Sequence, residues 1–190
     1  MKNIGIIPCD NGLGHTTRSI SLANLLSKTF KVTLYLKKIK NLNINKKIFL
    51  KKINLNFKLL NETQYDTNWY KKINKLDLKK IDLLISDNLP EAILLNKKII
   101  LFANFFWHEI FNLKKKFFRD LEKKIYKNKI KIISNYMFGN INPSKVNIFK
   151  IGFTGSFFDQ NKSKAKGILI SLGTSKIGYK TKLNSLLKLF

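Results

Sequence analysis

The chain has 190 residues, of which 44% are hydrophobic, and its formal net charge at pH 7 is +26. This length is enough for one ordinary core, or for one domain plus part of another. Lysine or asparagine interrupts every apolar stretch before it reaches the length of a membrane span, and no signal peptide is evident before the first predicted strand. The single cysteine, Cys9, cannot form an internal disulfide, which fits a reducing cytoplasm.

The charge first suggests nucleic-acid binding, but the choice of basic residues argues against it. Only Arg18 and Arg119 are arginines, and lysine supplies the rest of the 37 basic residues. Sites that grip phosphates or base edges favour the bidentate guanidinium of arginine. Asparagine, isoleucine and phenylalanine are also abundant and share A/T-rich codons with lysine, so a compositional bias is the favoured explanation. Attraction to anionic lipid or to phosphorylated substrates is compatible with the same lysines.

The most informative stretch is the first strand and the loop after it. Residues 3–7 form an apolar run of strand length, and a loop that contains Gly12 and Gly14 leads to His15. From residue 16 to about residue 28 the apolar positions follow a helical period. Arg18 lies three residues beyond His15, so both side chains can face the same place, one helical turn apart. In open α/β sheets such a turn lies at the carboxyl end of a strand, where ligands bind.

The rest of the chain alternates predicted strands with predicted helices. Strands are predicted at 31–36, 54–60, 81–86, 98–103, 129–134 and 146–150, and helices at 62–80, 91–96 and from about 109 to 127. The stretch 37–47 fits either a short helix or a loop, and the aromatic residues of 62–80 are predicted to pack in the core. The alternation predicts an α/β fold, with a mostly parallel, Rossmann-like sheet that carries helices on both faces.

The pattern divides the chain into three parts. Residues 1–150 hold the strands and helices of a first domain, and residues 151–166 have the glycine-rich, polar composition of a linker. Residues 167–190 restart with a strand and a helix that ends the sequence without a closing element. A single βα unit cannot bury its own faces, so it either packs on the first domain or belongs to a second one. We expect the second arrangement, in which this chain is the front part of a longer two-domain protein.

Two stretches resemble a known family. The segment Gly12-Leu13-Gly14-His15-Thr16-Thr17-Arg18, with Ser21-Leu22-Ala23 after it, resembles the opening of nucleotide-sugar glycosyltransferases of the GT-B fold. The nearest branch contains the lipid-linked N-acetylglucosaminyltransferase of peptidoglycan synthesis. The segment is also similar to the Gly-x-Gly-His-x-x-Arg of UDP-sugar hydrolases of pseudaminic acid synthesis. A second stretch, Ile168 to Ser175, resembles the strand and loop that open the C-terminal domain of these families.

The resemblance implies two facing Rossmann-like domains with the reaction in the cleft between them. The domain at 1–150 would mainly bind the acceptor, and the domain that begins at 167 would mainly hold the nucleotide-sugar. Gly173, Thr174 and Ser175 would line the cleft from the donor side. The family's later glycine-rich loop and ribose-binding acidic residue would lie beyond residue 190, so we expect this chain to carry only part of the donor site.

His15 is the candidate catalytic residue. Glycosyl transfer needs a base that takes the proton from the attacking hydroxyl, and histidine has a pKa near the working pH. The resemblance makes His15 this base or an acceptor-positioning group, and the alternative is a histidine that caps the helix start. Gly12 and Gly14 would let a ligand approach the backbone and place a diphosphate at the helix N-terminus, although Gly12 also fits an ordinary turn. Because position 17 is threonine, the spacing is not that of a dinucleotide site.

Charged residues near the carboxyl ends of the strands give further candidates. Arg18 either pairs with a phosphate or carboxylate of the ligand or forms a surface salt bridge. Asp87 and Glu91 follow a predicted strand, and one of them could orient His15 or accept a hydroxyl of the acceptor. A turn former is nevertheless the favoured interpretation of Asp87, because Asn88 and Pro90 follow it.

Two later features carry open alternatives. Asn104 and Trp107 follow the next strand, again on the ligand side, and Trp107 either stacks on a sugar or packs in the core. The lysine-rich helix that ends near 127 carries Phe117, Phe118 and Ile125, and such a helix could lie on an anionic membrane. Packing of its apolar side on the sheet is the favoured interpretation.

These features predict a glycosyltransferase of the hexosyltransferase type. It would move a sugar from a nucleotide-sugar, most simply a UDP-sugar, to a hydroxyl of a glycan, a lipid-linked or a cell-surface acceptor. We expect it in the cytoplasm or at the inner face of the cell membrane, with no cofactor, no metal and no nucleic-acid partner. The alternatives are a UDP-sugar hydrolase, in which water replaces the acceptor, and a non-catalytic fragment or basic binding module.

Overall fold

The computed structural model describes most of the predicted first domain. The described residues are 1–9, 13–36, 44–52, 67–73, 78–95, 98–106, 109, 115–135, 141 and 147–151. The predicted linker, apart from Ile151, and the predicted second domain lie outside these residues, so their boundaries stay predictions.

The described part is built on one parallel sheet. Its strands are β1 (Asn3–Pro8), β2 (Lys31–Leu36), β3 (Phe49–Lys52), β4 (Leu83–Asp87), β5 (Ile99–Phe102), β6 (Lys131–Asn135) and β7 (Ile148–Ile151). The order across the sheet is β3-β2-β1-β4-β5-β6-β7, and each neighbouring pair is parallel. With helices on both faces, this arrangement confirms the predicted α/β, Rossmann-like, doubly wound sheet.

The helices connect the strands as crossovers. They are α1 (Leu13–Leu26), α2 (Trp69–Ile73) and α3 (Lys115–Lys127), and 3₁₀ turns lie at Leu78–Lys80 and Pro90–Leu95. The helix predicted at 91–96 is therefore a 3₁₀ segment. The helix predicted at 62–80 is described only in part, as α2 and the first 3₁₀ turn.

The third strand lies earlier than the sequence pattern predicts. We expected it at 54–60, which lies outside the described residues, whereas β3 occupies Phe49–Lys52 beside β2. Phe49 is 63% exposed and Leu50 is 37% exposed. Because these two consecutive apolar residues are both exposed, β3 lacks the alternation of buried and exposed positions by which a strand is recognised.

The sheet buries apolar side chains on both faces, which explains why its central strands are nearly continuous apolar runs. One face packs Ile4, Ile6 and neighbouring β2 residues against Ala23 of α1. The opposite face carries a larger cluster that includes the apolar side of α3, formed by Phe118, Leu121 and Ile125. The favoured interpretation of α3 as a helix that packs in the core is thus confirmed.

Two details fix the centre of this sheet. A Cβ atom at Gly5 of β1 would lie 3.0 Å from Leu84 Cδ1 and 3.2 Å from Tyr35 Cε2, so glycine allows the neighbouring side chains to close over the strand. Trp69 is fully buried, as predicted for the aromatic residues of 62–80, and its Nε1 donates to Glu91 Oε2 at 3.2 Å.

Within the described ranges, no helix has both the length and the apolar content that a membrane crossing requires.

Candidate active site

The candidate site lies where the strand order reverses. β1 and β4 are neighbours, but the chain continues from β1 to β2 on one side and from β4 to β5 on the other. The last residues of these strands, Pro8 and Asp87, are paired in the parallel register. Helix α1 follows β1 and brings His15 to the same edge. In open α/β sheets this switch point opens a crevice outside the carboxyl ends of the strands, where ligands bind.

One face of α1 is turned towards Asp87. His15, Arg18 and Ser19 occupy positions i, i+3 and i+4, which share a face of an α-helix. All three side chains contact the Asp87 carboxylate. Because of the helical period of α1, these three side chains form one cluster of hydrogen-bond donors around Asp87.

The contacts of this cluster are short and cover both carboxylate oxygens. His15 Nδ1 lies 2.8 Å from Asp87 Oδ1, and Arg18 Nε donates to Asp87 Oδ2 at 3.0 Å. Arg18 Nη2 also donates to Oδ1, and Ser19 Oγ donates to Oδ2 at 3.2 Å. The side chain of Asp87 is 1% exposed, that of Arg18 15% and that of His15 20%. The imidazole is thus the member of the cluster that reaches solvent most.

Main-chain contacts hold Asp87 in place. The Cys9 amide donates to the Asp87 carbonyl at 2.9 Å, and the Asn88 amide donates to the Phe102 carbonyl at 2.8 Å. Asn88 adopts a φ of 59°, the left-handed conformation that asparagine tolerates better than most residues, so the chain turns immediately after Asp87. The carboxylate therefore projects from a strand end that is bonded to both neighbouring strands.

Arg18 is held from a second direction by an aromatic ring. Phe102 pairs with Asp87 in the register of β4 and β5, and Arg18 Cζ lies 4.1 Å from the centroid of its ring. A guanidinium at this distance from a ring is attracted by the negative face of the π system.

Burial alone would raise the pKa of Asp87, but the hydrogen bonds and the electrostatic attraction of His15 and Arg18 outweigh it and lower the pKa below the ordinary value of 3.8. Asp87 is therefore ionised at neutral pH and acts only as an acceptor. Arg18 Nη2, 3.1 Å from His15 Nδ1, is only a donor. Both neighbours thus favour a proton on Nδ1 that is donated to Asp87, which leaves Nε2 of the neutral imidazole as a proton acceptor.

The structure changes the interpretation of two sequence candidates. Asp87, which the sequence favoured as a turn former, places its carboxylate on His15, Arg18 and Ser19. Arg18 forms a partly buried ion pair with Asp87 rather than an isolated surface salt bridge. Glu91, the other acidic candidate, is fully buried and accepts a hydrogen bond from Trp69.

The remaining candidates are only partly described. Gly14 is exposed in the first turn of α1, and a Cβ atom there would meet no heavy atom of the described residues within 4 Å. Asn104 follows β5 at the same edge of the sheet, and its Oδ1 lies 3.5 Å from the Ser134 hydroxyl that donates to it. The candidates outside the described residues are Gly12, Trp107, Gly173, Thr174 and Ser175.

Sequence reasoning missed Ser19 and Phe102. The position of Ser19, four residues after His15 on a predicted helix, carried a usable signal. Phe102 carried no such signal, because its place beside Asp87 depends on the register of β4 and β5.

In the part of the chain that the structure describes, no group of three or more His, Cys, Asp and Glu side chains could hold a metal ion.

Comparison with known proteins identifies the fold. No protein-family model and no curated protein matches the sequence. Phytolacca americana UGT2, complexed with UDP-2fluoro-glucose and pterostilbene, is similar with a TM-score of 0.50 at 12% identity, over 83% of this chain and 55% of that chain. Arabidopsis thaliana UGT89C1 complexed with UDP has a TM-score of 0.51 at 14% identity, over 97% of this chain and 55% of that chain.

These neighbours are UDP-glycosyltransferases of the GT-B fold. UGT89C1 complexed with UDP-L-rhamnose gives a similar result, with a TM-score of 0.50 at 15% identity over 82% of this chain. The chain spans about half the length of these proteins, 55% and 53%. At such low identity the likeness establishes the fold: a Rossmann-like sheet that matches part of a GT-B structure.

Proposed function

We propose that this chain is the acceptor-side part of a nucleotide-sugar glycosyltransferase in which His15 is the general base. The observation that carries the proposal is the 2.8 Å contact between His15 Nδ1 and Asp87 Oδ1 at the switch point of the sheet. A histidine whose Nδ1 proton is held by an ionised carboxylate presents Nε2 as a base and is stabilised once it has taken a proton. The GT-B fold of the structural neighbours supports the same class of reaction.

The proposed reaction uses His15 in a single displacement. Nε2 takes the proton of the acceptor hydroxyl while the hydroxyl oxygen forms a bond to the anomeric carbon of the sugar. The bond from that carbon to the diphosphate oxygen breaks, and its electron pair leaves with the nucleotide. The Asp87 carboxylate then stabilises the imidazolium through the Nδ1 proton.

The finer assignments rest on the resemblance of the Gly12–Arg18 segment. We propose a UDP-linked hexosyl donor, with Gly173, Thr174 and Ser175 on the donor side, and no cofactor. We propose that the acceptor hydroxyl belongs to a glycan, a lipid-linked or a cell-surface molecule, as in the branch of the peptidoglycan N-acetylglucosaminyltransferase. Such an acceptor fits a protein in the cytoplasm or at the inner face of the cell membrane.

The test is UDP release by the full-length protein from UDP-glucose, UDP-galactose and UDP-N-acetylglucosamine. Each donor is supplied with and without a pool of oligosaccharides and lipid-linked saccharides. We expect acceptor-dependent UDP release, and we expect His15→Ala to lower it by about 10²–10⁴-fold, the usual contribution of a general base. Arg119→Gln, an exposed change on α3, is the control and should leave the rate unchanged.

Two results would contradict the proposal. Unchanged UDP release by the folded His15→Ala variant would show that His15 is not the base. Failure of the full-length protein to use any of the donors would reject the class of reaction. Rapid release of free sugar that no acceptor accelerates would instead indicate the hydrolase, in which the same histidine deprotonates water.

A further inference from the structure

Arg18 engages Asp87 more extensively than His15 does. Its Nε donates to Oδ2 at 3.0 Å and its Nη2 donates to Oδ1, so one guanidinium spans both carboxylate oxygens. A fork of two hydrogen bonds fixes the plane of a carboxylate, which a single bond leaves able to rotate. The orientation that Asp87 offers to His15 is therefore set by Arg18.

The guanidinium is itself held on several sides. Its carbon lies 4.1 Å from the centroid of the Phe102 ring, and the side chain is only 15% exposed. Ser19 adds a hydroxyl donor to the oxygen that Arg18 Nε already contacts. Lysine supplies nearly all of the 37 basic residues of the chain, yet this position carries the planar fork that lysine cannot reproduce.

We propose that Arg18 is a positioning residue that fixes the plane of the Asp87 carboxylate, so that the carboxylate holds the Nδ1 proton of His15 and leaves Nε2 as the proton acceptor. Only the use of Nε2 as a catalytic base rests on the proposed function. In this role Arg18 pairs with Asp87 and does not serve as the residue that binds a phosphate of the ligand.

The test is imidazole ¹⁵N NMR of the folded protein without substrate. The chain has two histidines, and loss of a signal in His15→Ala identifies the one of interest. We expect the wild-type neutral imidazole of His15 to carry its proton on Nδ1. In Arg18→Gln, which removes the fork of two hydrogen bonds, the share of the neutral imidazole that carries its proton on Nδ1 should fall below that of the wild type. Arg119→Gln, which changes the other arginine, should leave this share unchanged.

Arg18→Lys separates charge from geometry. It keeps the positive charge but loses the fork, so the share of the Nδ1–H form should fall below that of the wild type, as in Arg18→Gln.

The proposal is overturned if folded Arg18→Gln has the wild-type share of the Nδ1–H form. If Arg18→Gln does not fold, Arg18→Lys decides, and a wild-type share of the Nδ1–H form overturns the proposal. These readouts need no turnover. Absence of sugar transfer would therefore reject the proposed function without altering the NMR result, and an unchanged spectrum would reject the role of Arg18 even in an active transferase.

Discussion

The Asp87 carboxylate is buried at the end of β4, and it stays charged because donors from α1 meet both of its oxygens. Burial of an ion costs several kcal/mol unless partners compensate for the lost water. Arg18 supplies opposite charge, and His15 and Ser19 supply hydrogen-bond donors. The cluster is therefore a structural element of the protein as well as the proposed catalytic machinery.

Asp87→Asn should reduce stability in a pH-dependent way. At neutral pH we expect the free energy of unfolding to fall by about 2 kcal/mol, because Arg18 loses its counter-charge. The native pKa of Asp87 is depressed, so its contribution is fully present above the pKa of the unfolded chain, about 3.9, and is lost as pH falls through the lower native pKa. The gap between wild type and variant should therefore shrink as the pH falls below about 4.

Urea unfolding between pH 3 and pH 7 measures this gap. Asp120→Asn removes an exposed carboxylate of α3 and serves as the matched control, with an expected loss within about 0.5 kcal/mol. A gap between Asp87→Asn and wild type that stays constant down to pH 3 would refute the assigned charge state.

Gly14→Ala should separate stability from function. A Cβ atom at this exposed helical position meets no described atom within 4 Å, so alanine should raise the free energy of unfolding by about 0.5–1 kcal/mol through helix propensity. If a ligand approaches the backbone at Gly14, the added methyl group should lower sugar transfer by up to about 100-fold, the effect of a small misplacement. Thermal unfolding measures the change in stability, and UDP release measures the change in activity. A stabilised variant with wild-type activity would show that no ligand approaches the backbone at Gly14.

At the scale of elements, α3 shows how a helix ends without glycine. The Ile130 amide donates to the Ile125 carbonyl at 3.1 Å, and the Lys129 amide donates to the Tyr126 carbonyl at 3.1 Å. These are the two bonds of a Schellman motif, and Lys129 occupies its left-handed position with a φ of 49°. Ile130 packs against the core next to the helix, as the motif usually requires.

Lys129→Gly should stabilise the protein. Relief of the left-handed conformation is worth about 1–2 kcal/mol, and the greater freedom of glycine in the unfolded chain offsets about 0.4–1 kcal/mol of it. We expect a net gain of about 0.5–1 kcal/mol in the free energy of unfolding, measured in urea. Lys129→Val, which adds a β-branched side chain at the same φ, should destabilise, and equal stability of the two variants would contradict the strain argument.

At the scale of the whole molecule, the net charge of +26 opposes folding. Lysines brought together in the native state repel one another, and exposed ion pairs return little of this energy. On α3, for example, Lys123 Nζ lies 3.9 Å from Asp120 Oδ1, and both side chains are more than half exposed. This exposed pair therefore does little to compensate for the repulsion between the surface lysines.

Sodium chloride should therefore stabilise the protein. Raising the ionic strength from 0.01 M to 0.1 M shortens the screening length from about 30 Å to about 10 Å, which weakens repulsion between exposed lysines. We expect the free energy of unfolding to rise over this range, as measured by urea unfolding at pH 7. The partly buried cluster at Asp87 is screened less, so Asp87→Asn should show the same salt dependence as wild type. A decrease with salt would indicate that attractive surface pairs dominate.

The sequence by itself determined the elements whose signals are local. The apolar runs of β1, β2, β4 and β5 predict buried strands, and their alternation with helices predicts the parallel Rossmann-like sheet that the structure confirms. The helical period after Gly14 also places His15 and Arg18 on one face of α1, as the structure shows. The sequence pattern missed β3 because its consecutive residues Phe49 and Leu50 are both exposed and give no alternation to detect.

Only the tertiary structure decided what these residues contact. Asp87 lies 72 positions from His15 in the chain, and its carboxylate meets the imidazole because β4 is inserted beside β1. Phe102 reaches Arg18 through the register of β4 and β5. Strand order and register depend on how distant faces pack, whereas periodicity within one segment reports only that a face is apolar. A carboxylate after a strand therefore fits a turn former and a partner for histidine equally well until its neighbours are known.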